Sequence, residues 1–216
     1  MKKLLLCTML IALSFAYGQE STKKEKLTIQ KGTWYLNGGM SLVSNNSKSN
    51  QNMEKSDQIG FNFSPKIGFS INNNLIIGLG LGYNYHKNDL NFTNTKNFTK
   101  NESYSIFPYI KKYFSLGQKL AFTLHGEFRY TYSKYENDYN SLNNTNLSKA
   151  NYYFIGIRPG ITYFLNKKIA LEANIGALGY TKSNHTHFPN NSIQEIDNFN
   201  FNLNSSNLNF GISYYW

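Results

Sequence analysis

Leu208-Asn209-Phe210-Gly211-Ile212-Ser213-Tyr214-Tyr215-Trp216 is the stretch whose reading decides the fold. Counting back from Trp216, every second residue is apolar: Trp216, Tyr214, Ile212, Phe210 and Leu208. Between them stand Tyr215, Ser213, Gly211 and Asn209. A period of two puts the first set on one face of a β-strand and the second set on the other. Such a strand needs partners, which the rest of the chain must supply.

The same alternation recurs upstream. Ile59, Phe61, Phe63, Pro65, Ile67, Phe69 and Ile71 share a face, opposite Gly60, Asn62, Ser64, Lys66, Gly68 and Ser70. The triplet Asn72-Asn73-Asn74 predicts a tight turn. The next strand sets Leu75, Ile77, Leu79, Leu81, Tyr83 and Tyr85 against Gly78, Gly80, Gly82, Asn84 and His86. Further strands are expected at about Gly32 to Val43, Ser103 to Phe114, Leu120 to Tyr132, Tyr153 to Tyr163 and Ile169 to Ala177. Turns at 115–119 and 165–168 are short. Residues 44–57, 87–102, 133–151 and 181–199 lack periodicity and read as long loops. Phe199, Phe201 and Leu203 are out of phase with the terminal strand, so a bulge is expected near Asn204 to Asn207. Short turns alternate with long loops through eight strands. That is the pattern of a transmembrane barrel with short periplasmic turns and long extracellular loops.

Residues 1–18 read as a secretory signal peptide: basic Lys2 and Lys3, an apolar run from Leu4 to Ala16, and cleavage expected after Gly18. Residues 19–31 form a polar periplasmic leader, and 32–216 the barrel domain. Cys7 is the only cysteine and lies within the signal, which leaves the mature chain without thiol or disulfide chemistry. No further run of about 20 apolar residues exists, so helices do not span a membrane here. The mean hydropathy of −0.49 resembles that of a soluble chain, but a barrel needs only alternate residues to be apolar. A soluble lipocalin-like barrel would put its apolar face inside, around a ligand. Here the other face is Gly, Ser, Asn and charge, which suits a narrow, crowded interior.

The signal, the amphipathic strands, the Gly-spaced third strand and the terminal aromatic strand resemble small outer-membrane barrels of the OmpA/OmpX type. Pro108-Tyr109-Ile110-Lys111-Lys112-Tyr113-Phe114 and Gly211-Ile212-Ser213-Tyr214-Tyr215-Trp216 look like segments of the outer-membrane β-barrel domain family of Bacteroidota. The likeness covers the whole mature chain. It implies an all-β, eight-stranded antiparallel transmembrane β-barrel, an up-and-down meander, in the bacterial outer membrane. It implies that Leu208, Phe210, Ile212, Tyr214 and Trp216 form the C-terminal insertion signal. The implied partners are outer-membrane lipid and, during biogenesis, the barrel assembly machinery and periplasmic chaperones.

The formal charge is +10, or +8 without Lys2 and Lys3. The four expected loops sum to zero, so the basic balance does not describe a basic outer surface. Nucleic-acid binding loses its main support. Lys112, Lys119, Lys167 and Lys168 fall on the periplasmic side, where lysine heads meet lipid phosphates. The inward set is Lys66, Lys111, Arg129 and Arg158 against Glu127 and Glu172, with His125 beside them. Opposite charges in a narrow lumen must pair. This interior polar cluster is either a structural plug or a gate. His125 and Glu127 do not make a catalytic pair without a placed nucleophile. His185 and His187 supply too few ligands to fix a metal ion. No enzyme activity and no cofactor are expected. The sequence points to a barrel that displays Asn/Ser/Tyr-rich loops to a surface ligand, for adhesion or envelope integrity. The alternative is a narrow porin-like channel for ions or small solutes.

Overall fold

The computed structural model describes residues 26–49, 54–91, 96–138, 145–187, 192–202 and 208–216. The expected signal peptide, the first part of the leader and the expected bulge at Asn204 to Asn207 lie outside the described residues. The strands are β1 (Trp34–Ser49), β2 (Glu54–Asn72), β3 (Leu75–Asn91), β4 (Lys96–Ser115), β5 (Leu120–Asp138), β6 (Thr145–Phe164), β7 (Ile169–Ile175), β8 (Ala177–His187), β9 (Ser192–Asn202) and β10 (Leu208–Tyr215). Each pairs antiparallel with its neighbours. β7 and β8 are two halves of one strand, since both lie along β6. β9 and β10 likewise complete the last strand, against β8 and β7. The result is an eight-stranded antiparallel barrel, closed where β10 meets β1 from Tyr35↔Tyr215 to Gly38↔Ile212.

The seventh strand breaks at Gly176, whose φ is 61°. A side chain there would be strained, and glycine takes the conformation freely. Gly160 faces Asn174 and Ile157 faces Leu178, so one extra residue has entered the β7–β8 side. The inward positions then change from even (Ala170, Glu172) to odd (Gly179, Ser183). An unbroken strand from Ile169 to Ala177 was expected, and small Ala177 hides the switch because it suits either face. On the last strand the exposed Phe199 and Phe201 confirm the odd phase of β9, against the even phase of Phe210 and Ile212.

A second departure is larger. The four expected long loops are mostly strand: β4, β5 and β6 run 20, 19 and 20 residues. A membrane-crossing strand needs only about 9–11 residues. The outward apolar belt lies between two aromatic girdles. The lower one contains Trp34, Phe69 and Trp216, with Trp34 5.1 Å from Phe69 and 6.3 Å from Trp216. The upper one contains Phe61, Tyr83 and Tyr104, with the two tyrosines 5.2 Å apart. Eight residues of β2 separate Phe69 from Phe61, or about 20 Å of height at a ~40° tilt. Above Tyr104, Tyr130 and Tyr153 the strands continue as a second storey of similar height. Its inner face carries small and polar residues, with Ser133, Ala150 and Ser183 buried, so its ladder carries no hydrophobic alternation to read. Polar pairs support it instead: Lys100 Nζ lies 2.9 Å from Glu102 within β4, Lys134 Nζ 2.8 Å from Glu136 within β5, and Lys100 reaches Glu136 across the two strands at 3.8 Å.

The described part of the leader is not a free tail. The Leu27 N–H donates to the Gly117 carbonyl at 2.9 Å, and the Ile29 N–H to the Asn74 side chain at 2.8 Å. Ile29 is buried with Ile76, Phe164 and Tyr215 at the periplasmic mouth. Residues 26–33 thus lie as a strap across the base.

Interior glycines make room for interior rings. Gly80 faces Phe107 across β3 and β4, and a Cβ on Gly80 would sit 2.2 Å from that ring. A closed barrel in lipid resists detergent, so unheated and boiled samples migrate differently on an SDS gel. Gly80→Val is expected to weaken or lose the fast-migrating folded band, overpacking at a cost of about 3 kcal/mol, the upper end of the usual range. Gly117→Ala, with open space around it, is expected to keep that band.

Candidate functional site

The lumen is filled in layers. At the base, Tyr35, Tyr113, Tyr215, Ile76 and Phe164 are all buried. Above them Lys111 and Glu172 form an ion pair at 2.6 Å, both side chains 2% exposed. Glu172 also accepts hydrogen bonds from the Tyr35 hydroxyl at 3.0 Å and the Tyr215 hydroxyl at 3.2 Å. The Lys111 ammonium lies over the rings of Tyr35 and Tyr113, at 5.2 and 5.0 Å from their centroids. A carboxylate so far from water is tolerable only with every lone pair engaged.

The next layer is built on Glu127. Arg129 donates to it from Nε at 3.1 Å and from a terminal nitrogen at 3.0 Å. Arg158 Nε donates at 3.1 Å, and His125 Nε2 stands 3.1 Å away. The two guanidinium groups rest on aromatic faces, Arg129 over Phe107 at 3.8 Å and Arg158 over Phe154 at 5.3 Å. His125 stacks on Tyr109, centroids 4.8 Å apart. Higher still, hydroxyl pairs bridge β4 and β5: Ser105 with Thr131 and Ser103 with Ser133, both at 2.8 Å.

All seven residues of the expected interior cluster line one cavity of about 400 Å³ above the base layer. Their pairing divides them: Lys111 with Glu172; Arg129, Arg158 and His125 with Glu127. Lys66 belongs to neither group, and its Nζ donates to Asn37 Oδ1 at 3.1 Å. Sequence reasoning missed Tyr35, Asn37 and Tyr113 as partners of this cluster. Their odd positions on the first and fourth strands were the available signal. Phe210, Ile212, Tyr214 and Trp216 of the C-terminal stretch all face outward and are exposed. His185 and His187 lie on β8, and among the described residues no three His, Cys, Asp or Glu side chains gather as a metal site.

A closed antiparallel sheet with an apolar girdled exterior and a polar, ion-paired interior defines an integral membrane barrel. The chain matches the family described as outer membrane protein beta-barrel domain over residues 4–215, and it belongs to that family of outer-membrane proteins. No curated protein matches it. Among solved structures it is similar to the crystal structure of Neisserial surface protein A (NspA), with 14% identity and a TM-score of 0.41, covering 88% of this chain and 99% of that one.

Glu172→Gln leaves the buried Lys111 ammonium without its counter-charge, so a loss of about 3–5 kcal/mol is expected. Adding Lys111→Met removes the stranded charge and is expected to restore most of that loss. Urea unfolding in lipid vesicles, followed by tryptophan fluorescence, checks both.

Proposed function

We propose that the protein is a non-enzymatic, non-conducting outer-membrane anchor that displays its extracellular storey and loops, for adhesion or envelope integrity. The observation that carries this reading is the combination of a sealed base and an overbuilt top. Tyr35, Tyr113 and Tyr215 fill the lumen under the Lys111–Glu172 pair, and the strap 26–33 covers the mouth beneath them. The wall meanwhile continues well past the upper girdle, at a length the membrane does not require. Tyrosines sit along it among Asn and Ser, among them Tyr135, whose hydroxyl lies 2.8 Å from that of Tyr152. Such residues combine rigid anchors with adaptable hydrogen bonding.

The channel reading has one feature in its favour, the cavity of about 400 Å³. That cavity ends on the base layer. In a planar bilayer the wild-type protein is therefore expected to show no steady conductance. A large, selective current would replace the display reading with the channel one. Shortening the expected loops 133–151 and 181–199 tests display itself: surface adhesion of whole cells falls while the heat-shifted band persists. Unchanged adhesion leaves envelope integrity as the role.

The export reading completes the proposal: residues 1–18 direct secretion, and the terminal strand is recognised by the assembly machinery after chaperoned passage. The outward alternation from Phe210 to Trp216 supports it. Deleting Trp216, or replacing Phe210 and Tyr214 by Asp, is expected to cut surface protein at least tenfold on immunoblots of outer-membrane fractions. A basic side chain on the lipid face costs about 2–4 kcal/mol at the midplane and an acidic one less, so Phe210→Asp carries most of the energetic cost and Tyr214→Asp, beside the lower girdle, little.

A further inference from the structure

Among the described residues, Lys66 is the lumenal cation that no acid holds. Its Nζ donates to Asn37 Oδ1 at 3.1 Å, and no carboxylate lies within 4.0 Å. The wall around it is paired on both sides. Asn37 faces it from β1, Ser213 faces Asn37 from β10, and Gly80 faces Lys66 from β3. An ammonium carries three donors, so two are left over. Arg129 shares that side of the lumen. Glu127 accepts from its Nε and Nη2, and Nη1 is left over. That nitrogen lies 3.9 Å from where a Cβ on Gly82 would stand. Gly80 and Gly82 are successive inward positions of β3, so the free edge of the guanidinium and Lys66 face the same cavity.

The lumen holds a charge excess that the chain does not answer. Lys66, Lys111, Arg129 and Arg158 line the cavity with two carboxylates, Glu127 and Glu172, an excess of +2 with His125 neutral. Both carboxylates are already engaged by Lys111, Arg129 and Arg158. The other described acids from Asp57 to Asp197 stand in the outward phase of their strands, and Glu54 lies at the far end of β2. Segments 50–53, 92–95, 139–144, 188–191 and 203–207 contain neither Asp nor Glu. Glu20 and Glu25 precede the strap in the chain. A net charge inside an apolar belt is costly until a counter-ion meets it.

We propose that the lumen binds one small divalent oxyanion, of the size and charge of sulfate or hydrogen phosphate, held by the Lys66 ammonium and the free edge of Arg129. Its two charges cancel the excess. The cavity of about 400 Å³ takes such an ion with part of its water shell. Asn62, Ser64, Asn84 and Ser105 line the same space and bring amide and hydroxyl donors to it. Tyr35, Tyr113 and Tyr215 fill the base below, so the ion exchanges from the extracellular side. It is a resident counter-ion of a plugged barrel, and the site is independent of what the loops display.

Titration calorimetry on the purified barrel in a non-ionic detergent tests this, with sodium sulfate and sodium phosphate as probes. The expected result is saturable binding of one ion per barrel, at least tenfold weaker for Lys66→Met. Sodium chloride at equal ionic strength is expected to give no saturable binding. Absence of wild-type binding at millimolar sulfate or phosphate overturns the proposal. An unchanged affinity in Lys66→Met does the same, as does chloride binding as tightly as sulfate, which would mark a diffuse positive potential only. If Lys66→Met loses the heat-shifted band, Ser64→Asp carries the test. It sets a carboxylate on the same face of β2, two positions from Lys66, and supplies the counter-charge from within. Its sulfate affinity is expected to fall at least tenfold, and an unchanged affinity overturns the proposal as well.

Discussion

Glu172 is the point on which the barrel is tied. Its carboxylate receives the Lys111 ammonium from β4, the Tyr35 hydroxyl from β1 and the Tyr215 hydroxyl from β10, while Glu172 itself stands on β7. Strands from the beginning, middle and end of the chain thus meet at one buried anion. Among the described residues, closure between first and last strands shows four ladder pairs, and this cluster reinforces it from within. The arrangement also explains the aromatic base. The rings of Tyr35 and Tyr113 stand against the ammonium and bring hydroxyls to the same place. A core of aliphatic residues would have excluded water but left the ion pair without donors.

The two storeys obey different physics. Between the girdles, backbone groups have no water to turn to, and side chains must be apolar outside and small or paired inside. The Gly80–Phe107 contact is a product of that crowding: a ring occupies the lumen because its cross-strand neighbour has no side chain. Above the upper girdle the inner face is small or polar, Ser133 and Ala150 being buried. There the ladder is held by its backbone hydrogen bonds, a charge network in which Lys100 reaches Glu136 across strands while Lys100–Glu102 and Lys134–Glu136 pair within one, and hydroxyl pairs. Each such exposed pair is worth little alone. Their number along long antiparallel strands, anchored below in a rigid barrel, keeps the wall standing.

This division also sets what could be read from the chain. The alternation of Ile59 to Ile71 and of Leu208 to Trp216 is imposed by lipid, and it announced strand, face and closure. The inward charged set was legible because Lys66, Lys111, Glu127 and Glu172 occupy the opposite phase to large aliphatics. The upper storey was not legible: Lys96 to Asn101 and Thr145 to Ala150 show no apolar alternation, since the inner face there is filled by small or polar side chains such as Ser133 and Ala150. The break at Gly176 was hidden by the neutrality of Ala177. Tyr35 and Tyr113 were passed over because tyrosines near strand ends suggest a girdle, and only their phase marks them as interior. Which cation pairs with which carboxylate depends on register between strands distant in sequence. That register placed Lys66 beside Asn37 rather than beside an acid.

A ladder outside the apolar belt has a further property. Its outward residues answer to the geometry of a β-strand and to little else, because no lipid packs against them. Substitutions at those outward positions do not disturb the girdled section that holds the protein in place. The outer wall can therefore diversify residue by residue while the girdled section beneath stays under strict physical constraint. Two degrees of physical constraint on sequence thus meet in one continuous sheet, and the boundary between them is the ring of Tyr83, Tyr104, Tyr130 and Tyr153.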